Sequence, residues 1–328
     1  MNFKTLCWPA WALLAGCGPV QPLDSGHLHH QTQTTFECTT PEDLNAPADI
    51  TFESRRAVVS PDGLLQVGAL TFGGTVPGPV LDMEVGQTRR IKLINRGQEP
   101  IGLHFLGLSY AVKDDGTPLY PQSIVNPGCA HVYAVTAKAP GIFPFVDHLQ
   151  PMRTLVAGQY GAVVVRTAAE AKADREYVFF LGELGVEGEG GHEEEEEHGA
   201  GQKFFMTING RTDLLPLSIE RTQTGFAQRE GFPDSRVSNR VRFRLLNVSP
   251  NAYHSFGLHG YNFCDRGGVL DPQGGCPNQG RPVNIVSLSP LEGTTVEFMA
   301  ENPGRWMYHC HVLDHLEEGM IGYFDVNP

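Results

Sequence analysis

Along most of its length the chain alternates apolar and polar residues in short runs, each closed by Gly, Pro or Asn. This period of two predicts half-buried strands joined by tight turns, the pattern of a β-sandwich and not of a helical bundle. The pattern also repeats. The run Arg90-Ile91-Lys92-Leu93-Ile94-Asn95 resembles Arg242-Phe243-Arg244-Leu245-Leu246-Asn247, and each is followed by a Gly-Leu-His tripeptide, at 102–104 and again at 257–259. PGIFPFVDH (140–148) aligns with PGRWMYHCH (303–311), and a Gly-rich strand closes each half, GQYGAVVV and then GMIGYFDV. A repeat this long exceeds solenoid periods and predicts two copies of one domain.

The seam falls after Val165, where the polar stretch Thr167 to Glu176 intervenes before Tyr177-Val178-Phe179-Phe180-Leu181, the first strand of the second copy. Domains are thus expected at 37–167 and 168–328. An insertion over 184–202, rich in Glu, Gly and His, interrupts the second. Its adjacent carboxylates repel, so it reads as a solvated loop, with His192 and His198 at most a weak collector of metal ions.

Composition narrows the classes of function. The 328 residues carry a net charge of −13, which repels phosphate backbones and argues against nucleic-acid binding. Gly 38 and Pro 24 suit many turns. The N-terminus, MNFKTLCWPAWALLAGC, has a positive Lys4 and a short apolar stretch ending in Leu14-Ala15-Gly16-Cys17, the lipobox pattern. Residues 1–17 are therefore expected to be a lipoprotein signal peptide, and 18–36 a polar tether in which His27, His29 and His30 are solvated. The expectation is an exported bacterial lipoprotein, lipid-anchored at the periplasmic or cell-surface face of a membrane.

The chain has seven cysteines. Cys7 leaves with the signal, Cys17 carries lipid, and Cys310 belongs to the motif below. The remaining four suit two disulfides in an exported protein. Cys264 and Cys276 bracket a Gly-rich loop and are expected to pair, leaving Cys38 with Cys129. His131, beside Cys129, is expected to be structural.

The strongest chemical signal is His309-Cys310-His311-Val312-Leu313-Asp314-His315-Leu316-Glu317-Glu318-Gly319-Met320. A thiolate, an imidazole five residues on and a thioether ten residues on converge when a tight loop joins two strands. With one more histidine they form a His₂Cys site with a weak axial Met, the blue-copper arrangement. His254, in Tyr253-His254-Ser255-Phe256, is placed to supply it from a neighbouring strand.

These residues resemble the multicopper oxidases, including two-domain laccases and copper nitrite reductases. Thr75-Val76-Pro77-Gly78-Pro79, Met206-Thr207-Ile208-Asn209-Gly210, the run 254–260 (HSFGLHG) and HCHVLDHLEEGM carry the resemblance, which spans about 36–328. It implies an all-β chain of two tandem cupredoxin-like, plastocyanin-like Greek-key β-sandwich domains. It assigns the type 1 copper ligands to His254, Cys310, His315 and Met320. The first domain holds no type 1 copper, because Asp147 stands where Cys310 stands.

The resemblance also implies a second copper site. Oxidases of the family use four His-x-His pairs; this chain keeps His104, His148, His259, His309 and His311, with Leu106, Val146 and Gly257 in the other places. The nitrite-reductase scheme survives these losses better. It takes His148, His259 and His309 as ligands with an open position for substrate, His104 as the proton donor above them, and His311 as a further ligand or a neighbouring group. Gly257 stands where nitrite reductases carry an aspartate. The implied function is a copper-dependent oxidoreductase. It passes electrons from a phenolic, metal-ion or protein donor through the type 1 copper to a small oxidant, dioxygen or nitrite, at a second type 2 or reduced type 2/3 site. The implied assembly is a homotrimer. The alternative is an electron carrier or copper-binding lipoprotein with a degenerate second site.

Overall fold

The computed structural model describes residues 37–185 and 204–328, except 214, 266 and 272. The readings of residues 1–36, and those of His192 and His198, fall outside the described residues. In the first half lie strands β1 (Ile50–Val59), β2 (Val67–Phe72), β3 (Val80–Glu84), β4 (Thr88–Asn95), β5 (Ile101–Phe105), β6 (Ser109–Tyr110), β7 (Ile124–Val125), β8 (Ala130–Thr136), β9 (Gly141–Asp147) and β10 (Tyr160–Arg166), with a helical turn α1 (Pro151–Val156) before β10. They form two facing sheets, β2-β1-β4-β8-β6 and β3-β10-β9-β5-β7.

The second half repeats the plan. Its strands are β11 (Arg175–Gly185), β12 (Phe204–Ile208), β13 (Leu217–Arg221), β14 (Phe226–Glu230), β15 (Asp234–Arg236), β16 (Arg240–Asn247), β17 (His254–Leu258), β18 (Phe263–Cys264), β19 (Pro282–Val283), β20 (Ile285–Leu288), β21 (Gly293–Met299), β22 (Gly304–Cys310) and β23 (Ile321–Asn327), with α2 (Leu313–Glu317) between the last two. Sheets β14-β13-β11-β16-β21 and β15-β23-β22-β17-β20 make the second sandwich. The insertion expected from 184 starts later, because Leu184 and Gly185 still pair with Phe205 and Phe204 across β11 and β12.

Each sandwich has its own core, and a third apolar cluster lies between them. On β10, Val163 and Val165 enter the first core, while Tyr160, Ala162 and Val164 enter the shared cluster. On β11, Tyr177, Phe179 and Leu181 enter the second core, while Val178 and Phe180 join the shared one. Alternate side chains leave opposite faces of a strand, so a strand buried on both faces must be apolar throughout. That is why YGAVVV (160–165) and YVFFL (177–181) are unbroken apolar runs. Polar ties cross the same seam, among them Arg221 to Asp82 at 3.1 Å and Gln228 Nε2 to the Pro77 carbonyl at 3.1 Å.

The repeated Asn that ends β4 and β16 sets the loops leading to the candidate site. Both are fully buried. Asn95 Nδ2 donates to the carbonyls of Glu99 and Val125, and Asn247 Nδ2 to those of Ala252 and Leu288. Asn247 Oδ1 accepts from Ser249 N, so the turn into β17 is pinned at both ends. The disulfides are Cys38–Cys129 and Cys264–Cys276, as expected from parity, and Cys310 is the free cysteine among the described residues. His131 is buried between Asp43 (3.1 Å) and Asp114 (3.0 Å), a structural clamp. No helix among the described residues is long and apolar enough to cross a membrane.

Candidate metal centres

His254 opens β17 and Cys310 closes β22, two adjacent antiparallel strands in which Phe256 faces Cys310. The loop after Cys310 is not a bare tight turn: it winds into α2, which carries His315 back toward the strands. Its ends are tied by Cys310 N to the Met320 carbonyl at 3.1 Å and Met320 N to the His315 carbonyl at 2.9 Å. Three ligand atoms converge. His254 Nδ1 and His315 Nδ1 lie 3.1 Å apart, and Cys310 Sγ lies 3.8 Å from the first and 3.6 Å from the second. A point equidistant from all three in their plane is roughly 2.0 Å from each, the bond length of a first-row ion to imidazole nitrogen. Met320 is fully buried in the surrounding core.

The surroundings prepare these atoms for a metal. Ser249 Oγ is 2.7 Å from His254 Nε2, a hydrogen bond that holds the ring with Nδ1 toward the triangle; a metal on Nδ1 would leave the proton on Nε2, donated to the hydroxyl. Burial, then the neighbouring His315, pushes the His254 imidazolium pKa down to about 3. Burial lowers His315 as well, against the pull of the Glu183, Glu318 and Asp314 carboxylates. Burial raises the Cys310 thiol, opposed by the N–H groups of Ser255 (3.4 Å) and Val312 directed at the sulfur. Two imidazole nitrogens held neutral by burial and a thiol packed beside them suit a soft redox ion bound to N₂S.

The other expected ligands fall into two groups. In the second half, His309 Nδ1–H donates to its neighbour's carbonyl, Cys310 O, at 2.7 Å, which leaves Nε2 facing His259 Nε2 at 3.1 Å. His311 stacks on His309 with ring centroids 4.2 Å apart, and burial followed by His309 lowers its pKa. In the first half, His104 and the exposed His148 meet with ring centroids 4.8 Å apart. His104 Nδ1 donates to the Asp115 carbonyl at 2.8 Å. Tyr110 holds the same place, its hydroxyl 3.3 Å from that nitrogen and 3.0 Å from Asp115 Oδ1. The His254–Cys310–His315 group is the one set of three metal-binding side chains among the described residues whose ligand atoms all lie within 4.8 Å of one another. His148 is therefore not gathered with His259 and His309 within one chain.

Two family models, each described as multicopper oxidase, match residues 54–170 and 218–328, together more than two thirds of the chain. The chain belongs to the multicopper oxidase superfamily. A probable nitrite reductase–hydroxylamine oxidoreductase fusion protein of Kuenenia stuttgartiensis is 26% identical over 263 residues, covering 77% of this chain and 28% of that protein. The human ferroxidase HEPHL1 is 27% identical over 285 residues, covering 76% and 23%. The chain thus spans about a quarter of the length of the curated relatives it matches. A solved multicopper oxidase structure superposes with a TM-score of 0.67 at 23% identity, over 84% of this chain and 88% of that one, a likeness of fold.

Strand register corrects one reading of the multicopper oxidase repeat. Leu103 faces Asp147 in the first half, whereas Phe256 faces Cys310 in the second. With Asp147 equivalent to Cys310, Leu103 corresponds to Phe256, His104 to Gly257 and Leu106 to His259. The two Gly-Leu-His tripeptides are out of register by two residues, and their likeness is accidental. Ser249, Tyr110 and Asp115 were not found from sequence, since they lie outside the ligand motifs.

Proposed function

We propose that the chain is a copper-dependent oxidoreductase. Electrons from an outside donor enter at His254, Cys310, His315 and Met320 and reach a small oxidant, dioxygen or nitrite, at the second histidine group. The observation that carries this reading is the join between the two groups. Cys310 belongs to one and His309 to the other, so they are adjacent in the chain, and His309 Nδ1 bonds to Cys310 O at 2.7 Å besides. Bound copper supplies one-electron chemistry that a thiolate and imidazoles support in both oxidation states.

The chain's own residues do the remaining work. His315 is only half-buried while His254 and Cys310 are fully buried, so His315 is the side on which a donor docks. A phenol, a metal ion or a redox protein fits that role, and the likeness to a ferroxidase supports the metal ion. At the second group, His259 and His309 present two imidazole nitrogens. His104, held by Asp115 and Tyr110 at Nδ1, keeps Nε2 for a proton. His148 completes three imidazoles when the first half of one subunit meets the second half of the next, which is the homotrimer this reading includes. Export as a lipid-anchored bacterial lipoprotein accords with the lipobox and the two disulfides.

Copper per chain, read with optical and EPR spectra, is the deciding experiment. One blue and one colourless type 2 copper is the expected result, and light scattering should give three chains per particle. Four coppers with a coupled pair would move the reading to a laccase. A second reading, an electron carrier with a degenerate second site, is favoured by the lone convergence of His259 with His309. It predicts one blue copper and nothing else.

A further inference from the structure

Register makes His104 and Gly257 equivalent, and His148 equivalent to His311. In the first half the side chain at this position is an imidazole lying against His148. In the second half there is no side chain, and His311 takes the space. A Cβ placed on Gly257 would collide with Cε1 of His311 and stand 3.0 Å from its Nδ1. The backbone fixes this placement, since His311 N donates to the Ser255 carbonyl at 2.6 Å, and the ring is sandwiched between Gly257 and His309. At these paired positions the first half thus has two imidazoles, His104 and His148, and the second half one, His311.

His311 is not gathered with His259 and His309 around one point. Those two nitrogens are 3.1 Å apart, yet the three side chains do not bring ligand atoms within 4.8 Å of one another. His311 instead lines an open cleft of about 570 Å³ together with His259, Tyr261, Asn262 and Asn284. Its Nδ1 is buried without a partner.

We propose that His311 is a contact residue for the oxidant of the second centre, admitted by Gly257, and that its imidazole N–H donates a hydrogen bond to an oxygen of the small oxyanion or dioxygen bound in this cleft. The proposal rests on the reading of a second copper given above. Gly257 is then a specificity-determining position. Any side chain there displaces the ring and closes the space against Gly257 on which the contact depends.

The test uses full-length, copper-loaded protein with nitrite as the probe. Nitrite is titrated while the EPR signature of the colourless copper is followed, in wild type, His311→Ala, His311→Gln and Gly257→Ala. Both Ala variants should keep the wild-type copper content and blue absorption while their apparent nitrite Kd rises about tenfold, as for loss of one hydrogen bond to a bound anion. His311→Gln, which retains a donor, should recover part of the affinity. Loss of the colourless copper in His311→Ala overturns the proposal by making His311 a ligand. Unchanged nitrite affinity in both Ala variants overturns it by making the ring a bystander. A wild-type protein holding blue copper alone sinks the two-centre reading itself, and this inference with it.

Discussion

His309 donates from Nδ1 to the carbonyl oxygen of Cys310, the residue that follows it, at 2.7 Å. This short contact fixes which imidazole nitrogen is free and ties the thiolate group to the second histidine group twice, through the chain and through a hydrogen bond. Replacing the sulfur separates the roles of the two groups. Cys310→Ser should abolish the intense visible absorption and reduce turnover to background, while the colourless copper is retained. Metal analysis beside the optical spectrum checks this, and blue colour persisting in the variant would refute the ligand assignment.

Ser249 lies outside the ligand group, yet it holds the His254 ring. Ser249→Ala removes the acceptor of Nε2–H at 2.7 Å in a fully buried place. Copper affinity at the His254–Cys310–His315 group should fall roughly ten- to hundredfold, as for other groups that hold a ligand from behind. Competition with a copper chelator measures it, with circular dichroism showing the fold intact.

His148 stands exposed on the first half and is not part of the His254–Cys310–His315 triangle. His148→Ala should leave the visible absorption unchanged and lower turnover by roughly 100-fold through weakened binding of the second ion. Undiminished turnover with the blue colour intact would remove His148 from the second centre.

At the start of β16, the strand whose terminal Asn247 pins the loop to His254, Arg240 and Arg242 join Glu297 at 2.8 Å and 2.6 Å. Burial raises the Glu297 carboxyl, but the bonds and charges of Arg240 and Arg242 outweigh it and hold the acid below its ordinary range. The unfolded chain, with a carboxyl near about 4.3, then binds more protons than the folded one in acid. The stabilisation is present above that pH and is lost as pH falls through the lower folded value. Urea unfolding between pH 7 and pH 3 should show a shallower acid loss in Glu297→Gln than in wild type, with the variant less stable at pH 7.

Much of this arrangement was legible because it is local. Cys310 and His315 lie within one loop, and the spacing that brings them together is written in six consecutive residues. The strands were legible from alternation, and the disulfides from parity. What was not legible depends on pairing across a sheet. The Gly-Leu-His tripeptides look equivalent in one dimension, and only the opposition of Leu103 to Asp147 and of Phe256 to Cys310 shows them displaced. In the same way His311 and Gly257 are far apart in sequence, and nothing local says that one fills the other's space.

The apolar seam shared by β10 and β11 has a consequence for the chain's history and handling. Severing the backbone between 167 and 174 would give two pieces, each presenting to water the slab of Tyr160, Ala162 and Val164 or of Val178 and Phe180 that its twin now covers. Neither piece should survive purification alone, whereas co-expressed pieces should find each other and reassemble.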